Sequence, residues 1–156
     1  MPRRSAGLLL WRAGPDGIEV LIGHMGGPFW ARKDDGAWSI PKGEYDDGED
    51  PLAAALREFA EELGAPPPEG DDVPLGEFRQ SNGKVVTVFA REGDFDASEI
   101  HGDTFEMEWP PRSGRTATFP EIDRAAWMTL DAARPKLVAG QIPALDALAA
   151  AAGGGG

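Results

Sequence analysis

Three glutamates, Glu58, Glu61 and Glu62, lie close together in the stretch PKGEYDDGEDPLAAALREFAEELGA, residues 41–65. Residues three and four apart are neighbours on a helix, where like charges cost roughly 0.2–0.5 kcal/mol per pair. Carboxylates crowded in this way, without lysines at matching positions, suit a hard divalent cation such as Mg²⁺, which binds oxygen ligands together with substrate phosphates. The alternative interpretation is an acidic helix face that is simply solvated.

The segment around these glutamates has the start and stop signals of an α-helix. Asp50 is a favourable N-cap, Pro51 suits the first helical position, and Gly64 is typical of a C-terminal cap. We therefore predict a helix from residue 51 to 63 that carries Arg57 and the glutamates on its polar side. Its apolar side follows helical spacing and consists of Leu52, Leu56, Phe59 and Leu63.

The spacing of the residues along this segment matches a family signature. The matching positions are Gly43, Glu49, Arg57, Glu58, Glu61, Glu62 and Gly64. Seven fixed positions agree by chance on the order of 10⁻⁸ to 10⁻⁹ times per starting point at average residue usage. The pattern resembles the signature of the Nudix hydrolases at each of these positions, and on these residues the chain is identified as a member of that family.

The resemblance implies a site that holds Mg²⁺ or Mn²⁺ against a diphosphate linkage in a nucleoside diphosphate derivative. Carried over by position, Glu58, Glu61 and Glu62 would be the metal ligands, and one of them a candidate base. The backbone carbonyl of Lys42 would complete a metal site. The physical logic is that a bound cation activates water and neutralises charge on the leaving phosphate.

The other motif residues are expected to support this site. Glu49 and Arg57 resemble supporting residues, with Arg57 paired to a glutamate of the helix so that its carboxylate is held in place. Gly43 is expected to adopt a loop conformation closed to other residues. Gly64 is expected to end the helix.

The Pro41-Lys42-Gly43 step that leads into the motif narrows the resemblance. It is similar to the dinucleoside polyphosphate hydrolases and the diphosphoinositol polyphosphate hydrolases within the family. Lys42 would then place a cation beside the metal cluster, where it suits a long phosphate chain. The alternative is an ordinary surface lysine.

A further carboxylate is expected outside the motif. Polyphosphate hydrolases of this type place a catalytic glutamate before the last strand, with a tryptophan six residues later, and Glu121 and Trp127 match that pattern. Glu121 is therefore predicted to be an extra metal ligand or base. Glu106 and Glu108 are alternatives, because alternation along a strand directs both to the same face.

Candidate substrate contacts lie in the loops. Trp30 is a candidate to stack on a base, and Arg112 and Arg115 are candidates to grip distal phosphates. The alternatives are that Trp30 packs internally and that the arginines are only solvated. His24 and His101 show no recognisable partner pattern.

Length and composition set the outer limits. The 156 residues predict one domain over residues 1–150 and a disordered Ala/Gly tail over 151–156. The absence of cysteine excludes disulfides and thiol catalysis within this chain, and the net charge of −12 argues against stable nucleic-acid binding. No signal peptide or membrane span is apparent, so a cytoplasmic location is expected.

Strand and turn signals predict the elements that position the site. Two hairpins are predicted, one over 6–25 around the GPDG turn and one over 74–92 around the SNG turn at 81–83. Short strands are predicted at 39–43 and within FEMEW (105–109), and a Pro/Arg/Gly loop follows the second of them. A last strand is predicted at 121–130. Two short helices follow it, the first starting at Asp131, and they are broken at Gly140 and Pro143. The fold class is α/β (α+β), a Nudix-type α/β/α sandwich around a mixed sheet.

The leading hypothesis is a metal-dependent pyrophosphohydrolase that cleaves a dinucleoside polyphosphate such as diadenosine tetraphosphate. Alternative substrates are an (oxidised) nucleoside triphosphate, a sugar nucleotide or a diphosphoinositol polyphosphate. A non-enzymatic alternative is a ligand-sensing Nudix domain, against which the intact glutamates argue. The sequence makes no prediction of the oligomeric state.

Overall fold

A computed structural model describes residues 4–80 and 83–153 of the chain. Within those residues it contains nine β-strands and three α-helices. The strands are β1 (Arg4–Gly14), β2 (Gly17–Met25), β3 (Trp38–Ser39), β4 (Lys42–Glu44), β5 (Asp72–Arg79), β6 (Val85–Glu92), β7 (Thr104–Glu108), β8 (Thr116–Pro120) and β9 (Ile122–Thr129). The helices are α1 (Pro51–Leu63), α2 (Leu130–Lys136) and α3 (Ile142–Gly153), with a 3₁₀ turn at Ala139–Gln141.

Seven of the strands in these ranges form one mixed sheet. Its main path is β3-β2-β1-β6-β5, with β4 also paired to β1 and β9 also paired to β2. The strands β1 and β6 run parallel, from Arg4 opposite Val85 to Trp11 opposite Glu92, and the other neighbours run antiparallel. The strands β7 and β8 form a separate two-stranded sheet.

Helices cover both faces of the large sheet, as predicted. Side chains alternate across a strand, so Leu8 and Leu10 of β1 pack on the same face as Phe59 of α1. Leu9 points to the other face, where it shares a core with Leu145 of α3. Full burial of such a side chain contributes roughly 1.5–3 kcal/mol, so the two cores fix the sandwich. The predicted α/β/α architecture is confirmed.

The predicted helix α1 forms with both of its predicted caps. The side chain of Asp50 accepts a hydrogen bond from the backbone N–H of Ala53 at 3.0 Å, and Pro51 occupies the first turn. Gly64 ends the helix with φ 86° and donates its N–H to the carbonyl of Ala60. The buried face differs from the predicted one. Leu52 and Leu56 are only half-buried, whereas Ala54 and Ala55 are buried and their small side chains allow close contact with the sheet. The buried residues of α1 are Ala54, Ala55, Phe59 and Leu63.

Several element boundaries differ from the sequence predictions. Residues 116–118, predicted to be loop, belong to β8 together with residues 119 and 120, because pairing with β7 supplies the hydrogen bonds that a short segment lacks alone. Helix α2 begins at Leu130 rather than Asp131, with Thr129 as its N-cap. Pro143 does not break a helix but lies at the start of α3, where a missing N–H is tolerated.

Helix α3 extends to Gly153, so it includes residues 151–153 of the segment expected to be disordered. Residues 154–156 of that segment, and residues 81–82 of the predicted SNG turn, lie outside the described residues. None of the helices in the described ranges has the length and apolarity that a membrane span requires.

Candidate active site

An open cleft of about 320 Å³ lies beside α1 and β4, and we call it the acidic cleft. It gathers residues that are distant in the sequence, including two positions from α1 and three from β4. The residues that line it are Ser5, Lys42, Gly43, Glu44, Glu58, Glu62, Lys84, Asp103, Thr104 and Glu121. Carboxylates and two lysines therefore face the same space.

The three glutamates of α1 do not share one environment. Glu58 and Glu62 are four residues apart, so they lie in one row of the helix and both line the acidic cleft. Glu61 is not among the side chains that line it; its carboxylate lies 3.7 Å from the Nε of Arg57. The Glu61 side chain is 43% exposed, compared with 16% for Glu58. Only two of the three predicted ligands thus face the cleft in the described structure.

Lys42 and Glu62 join β4 to α1. The backbone N–H of Lys42 donates a hydrogen bond of 2.7 Å to Oε1 of Glu62. Burial raises the pKa of Glu62 to about 8, and the charges of Glu58 and Glu121 act in the same direction, whereas the Lys42 N–H and ammonium oppose the shift. Burial also lowers the pKa of the Lys42 amine, against the attraction of Glu62. Burial therefore favours the uncharged form of each group, and the attraction between the two groups offsets this effect only in part.

Arg57 holds carboxylates on the outer side of α1. Its guanidinium donates a hydrogen bond to Glu49, a second of 3.2 Å to Oε2 of Glu58, and one of 3.5 Å to the carbonyl of Glu44. Burial and the neighbouring Glu61 raise the pKa of Glu58, and Arg57 opposes this shift. Arg57 and Glu49 thus orient Glu58 from outside the cleft.

Gly43 leaves room for a neighbouring side chain, which is not the role that the sequence predicts for it. Its backbone is not in the left-handed region, so the expected special loop conformation is wrong. Instead Gly43 is part of β4, and a Cβ built on it would lie only 1.8 Å from Oε1 of Glu58. The missing side chain therefore provides the space that the Glu58 carboxylate occupies.

A loop before β7 closes the end of α1. The N–H of His101 donates to the carbonyl of Leu63 at 3.3 Å, and the N–H of Asp103 donates to the carbonyl of Glu61 at 2.7 Å. A Cβ at Gly102 would lie 1.9 Å from the carbonyl oxygen of Glu62, so the loop approaches the helix at a glycine. These bonds satisfy carbonyls that the helix end leaves without partners. They also bring Asp103 to the acidic cleft.

Among the candidates outside the motif, Glu121 lies at the cleft. Its backbone is fixed on both sides, because its N–H donates to Asp103 and its carbonyl accepts from Gly26, each at 2.9 Å. Glu106 and Glu108 are exposed on β7 and are not among the residues that line the cleft. Glu108 instead accepts hydrogen bonds from the N–H groups of residues 112 and 114, and so stabilises the β7–β8 turn.

Trp30 lines a second cleft of about 290 Å³, which we call the aromatic cleft. The residues that line it are Met25, Gly26, Trp30, Phe105 and Glu121. Because Glu121 lines both clefts, the aromatic cleft adjoins the acidic one. Arg112 and Arg115 lie in the exposed β7–β8 turn and are not among the residues that line either cleft.

Sequence reasoning missed three charged residues of the acidic cleft, namely Glu44 at the end of β4, Lys84 and Asp103. Lys84, just before β6, and Asp103, just before β7, both line it. Each lies at the end of a strand next to a turn, which is a weak signal, because strand ends carry charges for solubility as often as for function. Their position follows from the pairing of distant strands.

The donor chemistry of the acidic cleft fits a hard divalent cation. Glu58 and Glu62 both line it, and the raised pKa values of both groups show that Arg57 and Lys42 do not fully offset the cost of burying the two carboxylates. Within residues 4–80 and 83–153, however, no three carboxylate or imidazole groups are already arranged around one point as metal ligands. Binding would therefore require rotation of side chains that now contact Lys42 and Arg57.

Comparison with known proteins identifies the family of this chain. Residues 1–148 match the family model of the NUDIX domain, and the chain therefore belongs to the Nudix family. An 8-oxo-(d)GTP phosphatase of Mycolicibacterium smegmatis is 29% identical over 145 residues, which cover 86% of this chain and 37% of that protein. An RNA pyrophosphohydrolase of Agrobacterium fabrum is 35% identical over 103 residues, which cover 55% of each chain.

The chain thus spans 37% and 55% of the lengths of these two relatives. A crystal structure of a C. elegans Ap4A hydrolase in a binary complex has a TM-score of 0.60 at 22% identity, over 97% of this chain and 98% of that one. At this identity the likeness concerns the fold, and it agrees with a mixed sheet covered by helices on both faces.

Proposed function

We propose that this protein is a divalent-metal-dependent pyrophosphohydrolase whose substrate is a dinucleoside polyphosphate such as diadenosine tetraphosphate. The observation that carries the proposal is that Lys42 and Lys84 line the same cleft as Glu58 and Glu62. Carboxylates suit a cation, and lysines suit phosphates. In a long phosphate chain the lysines would neutralise the charge that the cation alone leaves. The Nudix relatives named for pyrophosphate and phosphate chemistry support the reaction class.

Glu58 and Glu62, joined by Glu61 and the backbone carbonyl of Lys42, are the residues that would hold Mg²⁺ or Mn²⁺. When bound, the cation supplies positive charge at the diphosphate linkage and makes water more acidic. Glu61 would have to turn away from Arg57 to take part. Without a cation, the chain's charge of −12 would repel a polyphosphate.

The remaining side chains have roles set by their positions. Arg57 orients Glu58, and Gly43 leaves room for its carboxylate. Glu121 is the extra carboxylate, which acts as a further ligand or accepts the proton of the attacking water. The ammonium of Lys42 would compensate charge on the phosphate chain.

Substrate selection is assigned to the loops. Trp30 would stack on a base in the aromatic cleft, which adjoins the acidic cleft at Glu121. Arg112 and Arg115 would contact distal phosphates from the β7–β8 turn. Since these arginines are exposed, their contribution is expected to be smaller than that of Lys42.

A second candidate substrate is an oxidised nucleoside triphosphate. The observation in its favour is the alignment with the 8-oxo-(d)GTP phosphatase, which covers 86% of this chain. The aromatic cleft would then hold the oxidised base, and the acidic cleft would hold three phosphates.

The test is a panel of nucleotides assayed with Mg²⁺, with the products identified by mass. The panel contains diadenosine tetraphosphate, 8-oxo-dGTP, a diphosphoinositol polyphosphate, ADP-ribose and ATP. We expect diadenosine tetraphosphate to give ATP and AMP with the highest kcat/KM, and excess chelator to abolish turnover. Full activity in chelator would overturn the metal requirement. Preference for 8-oxo-dGTP would favour the second candidate, and no hydrolysis of any member would overturn the enzymatic proposal.

A further inference from the structure

His24 is a buried histidine with no part in the proposed reaction. Its Nδ1 lies 2.9 Å from Oδ1 of Asp123, and its Nε2 lies 2.7 Å from the backbone carbonyl oxygen of Lys33. The side chain is fully buried, and its ring meets the ring of Trp38 edge to face at 5.3 Å. Because a carbonyl oxygen only accepts, Nε2 is the donor in its hydrogen bond to the backbone carbonyl of Lys33. Both ring nitrogens are thus engaged, and the orientation of the ring is fixed.

These two contacts connect three separate segments of the chain. His24 lies on β2, and Asp123 lies on β9, two residues after Glu121. Lys33 belongs to residues 26–37, which join β2 to β3 and which we call the aromatic loop. One buried side chain therefore connects the strand that follows Glu121 to the loop that carries Trp30.

Lys33 transmits this contact to the aromatic residues of the loop. Its ammonium lies 3.7 Å from the ring centre of Phe29 and 5.3 Å from that of Trp30, and the two rings meet edge to face at 4.9 Å. Its backbone N–H donates to the carbonyl of Trp30 at 2.9 Å. The carbonyl that His24 contacts therefore belongs to the residue whose side chain contacts both rings and whose N–H is bonded to Trp30.

The ends of the aromatic loop are held by other groups. Gly26 donates its N–H to the carbonyl of Glu121, and Gly36 donates its N–H to the carbonyl of Pro135. Asp34 accepts a hydrogen bond of 2.8 Å from the indole of Trp38. His24 acts between these ends, on the stretch that reaches the aromatic cleft.

We propose that His24 is a positioning residue that sets the place of Trp30 relative to Glu121, and thereby the affinity for the base of a nucleotide. This inference rests on the proposed function for its kinetic part and on the described contacts for its structural part. Since the backbone of Glu121 has its own hydrogen bonds to Gly26 and Asp103, loss of His24 should affect KM far more than kcat.

The experiment compares His24→Ala, Asp123→Ala and Asp123→Asn with the wild type, by steady-state kinetics and by hydrogen exchange. With the best substrate of the panel, we expect His24→Ala to raise KM about tenfold and to change kcat less than about threefold, since two hydrogen bonds are lost. Backbone amides of residues 27–33 should exchange about tenfold faster, whereas those of β6 should not change. Asp123→Asn retains a hydrogen-bonding partner for Nδ1, so it should stay close to wild type, unlike Asp123→Ala.

Two controls separate positioning from general loss of stability. Arg91→Met removes a nearly buried ion pair with Asp72, at a distance from the loop, and should leave KM unchanged. If His24 acts through Trp30, the double variant His24→Ala/Trp30→Ala should have the same KM as Trp30→Ala alone.

The proposal is overturned if His24→Ala changes neither KM nor loop exchange, or if Arg91→Met raises KM equally. If His24→Ala does not fold, the difference between Asp123→Ala and Asp123→Asn decides, because Asp123 is partly exposed. If the wild type hydrolyses nothing, the proposed function fails, whereas hydrogen exchange still decides whether His24 holds the loop.

Discussion

The acidic cleft and the β7–β8 turn both concentrate charged side chains, but they use them differently. In the acidic cleft, Glu58 and Glu62 are withdrawn from water, which raises the pKa of both carboxyl groups. In the turn, Glu108 accepts two backbone hydrogen bonds, and Arg112 and Arg115 are exposed. The turn therefore satisfies its carboxylate internally, whereas the cleft holds buried carboxyl groups whose charged forms a bound cation would stabilise.

The difference also concerns how much each charge can contribute. Exposed ion pairs contribute roughly 0.2–1 kcal/mol, because water and salt screen them. Charge-assisted hydrogen bonds with less solvent contribute roughly 1.5–3 kcal/mol. Substitutions in the cleft should therefore change activity much more than substitutions in the turn, and the following predictions test that order.

The largest effect is expected for Glu62→Gln. The amide keeps the shape of the side chain but removes a charged ligand, so we expect kcat/KM to fall about 10²- to 10³-fold, as for other groups that stabilise transition-state charge. The measurement is kcat/KM at fixed Mg²⁺. Glu106→Gln, an exposed carboxylate of β7, is the matched control and should remain within about twofold of wild type, as surface substitutions usually do. Wild-type turnover by Glu62→Gln would refute its assignment as a metal ligand.

The second effect concerns Lys42 and the length of the phosphate chain. Lys42→Ala should lower kcat/KM for diadenosine tetraphosphate by about ten- to a hundredfold, the equivalent of one charge-assisted contact. ADP-ribose, which has only two phosphates, should be affected much less. Both substrates are measured on wild type and variant at the same metal and salt concentrations. Equal losses would show that Lys42 serves the shared metal site rather than the longer chain.

The third effect is on the stability of the metal-free protein. The ordinary pKa of a glutamate side chain is 4.5, and burial raises the pKa of Glu62 to about 8 in the folded state. The folded state therefore holds this proton more tightly than the unfolded state, and the site destabilises the fold increasingly as the pH rises from 4.5 towards 8. Glu62→Gln should remove this loss of stability, which grows by up to about 1.4 kcal/mol for each pH unit between those two values.

Urea unfolding in chelator at pH 5 and pH 8.5 measures this prediction. The difference in unfolding free energy between Glu62→Gln and wild type should be small at pH 5 and should favour the variant at pH 8.5. Glu106→Gln corrects for the change in net charge. A difference that does not change with pH would mean that Glu62 is not withdrawn from water.

The smallest effect is expected for Arg115→Ala in the β7–β8 turn. An exposed cation contributes at most about 1 kcal/mol, so kcat/KM for diadenosine tetraphosphate should fall no more than about fivefold. The loss should disappear at high salt, since exposed charges are screened. A loss as large as that of Lys42→Ala would show that the turn contacts the substrate as closely as the cleft does.

Local patterns predicted the helix and its caps well. Asp50, Pro51 and Gly64 act within one turn of the helix ends, so their effect does not depend on the rest of the fold. The sandwich followed from the alternation of strand and helix patterns. The short strand β8 was missed because its stability comes from its partner β7.

Contacts between distant segments could not be predicted in the same way. Lys84 and Asp103 reach the acidic cleft through strand pairing, and Gly43 is constrained by Glu58 rather than by its own backbone conformation. The partners of His24 lie on β9 and in the aromatic loop, which no local pattern brings together. The motif predicted the chemistry of individual residues, but their arrangement around one cleft depends on the tertiary fold.

The parallel pairing of β1 with β6 has a consequence for synthesis of the chain. Strand β1 is translated early, and it can pair with β2 at once, but its partner β6 follows only after the helix α1 and β5. Until β6 leaves the ribosome, one edge of the apolar strand β1 has unpaired backbone N–H and C=O groups. Other chains can pair with that edge. Because such distant pairing is slow to form, nascent chains halted before residue 92 should be aggregation-prone, even though they already contain the whole Nudix motif.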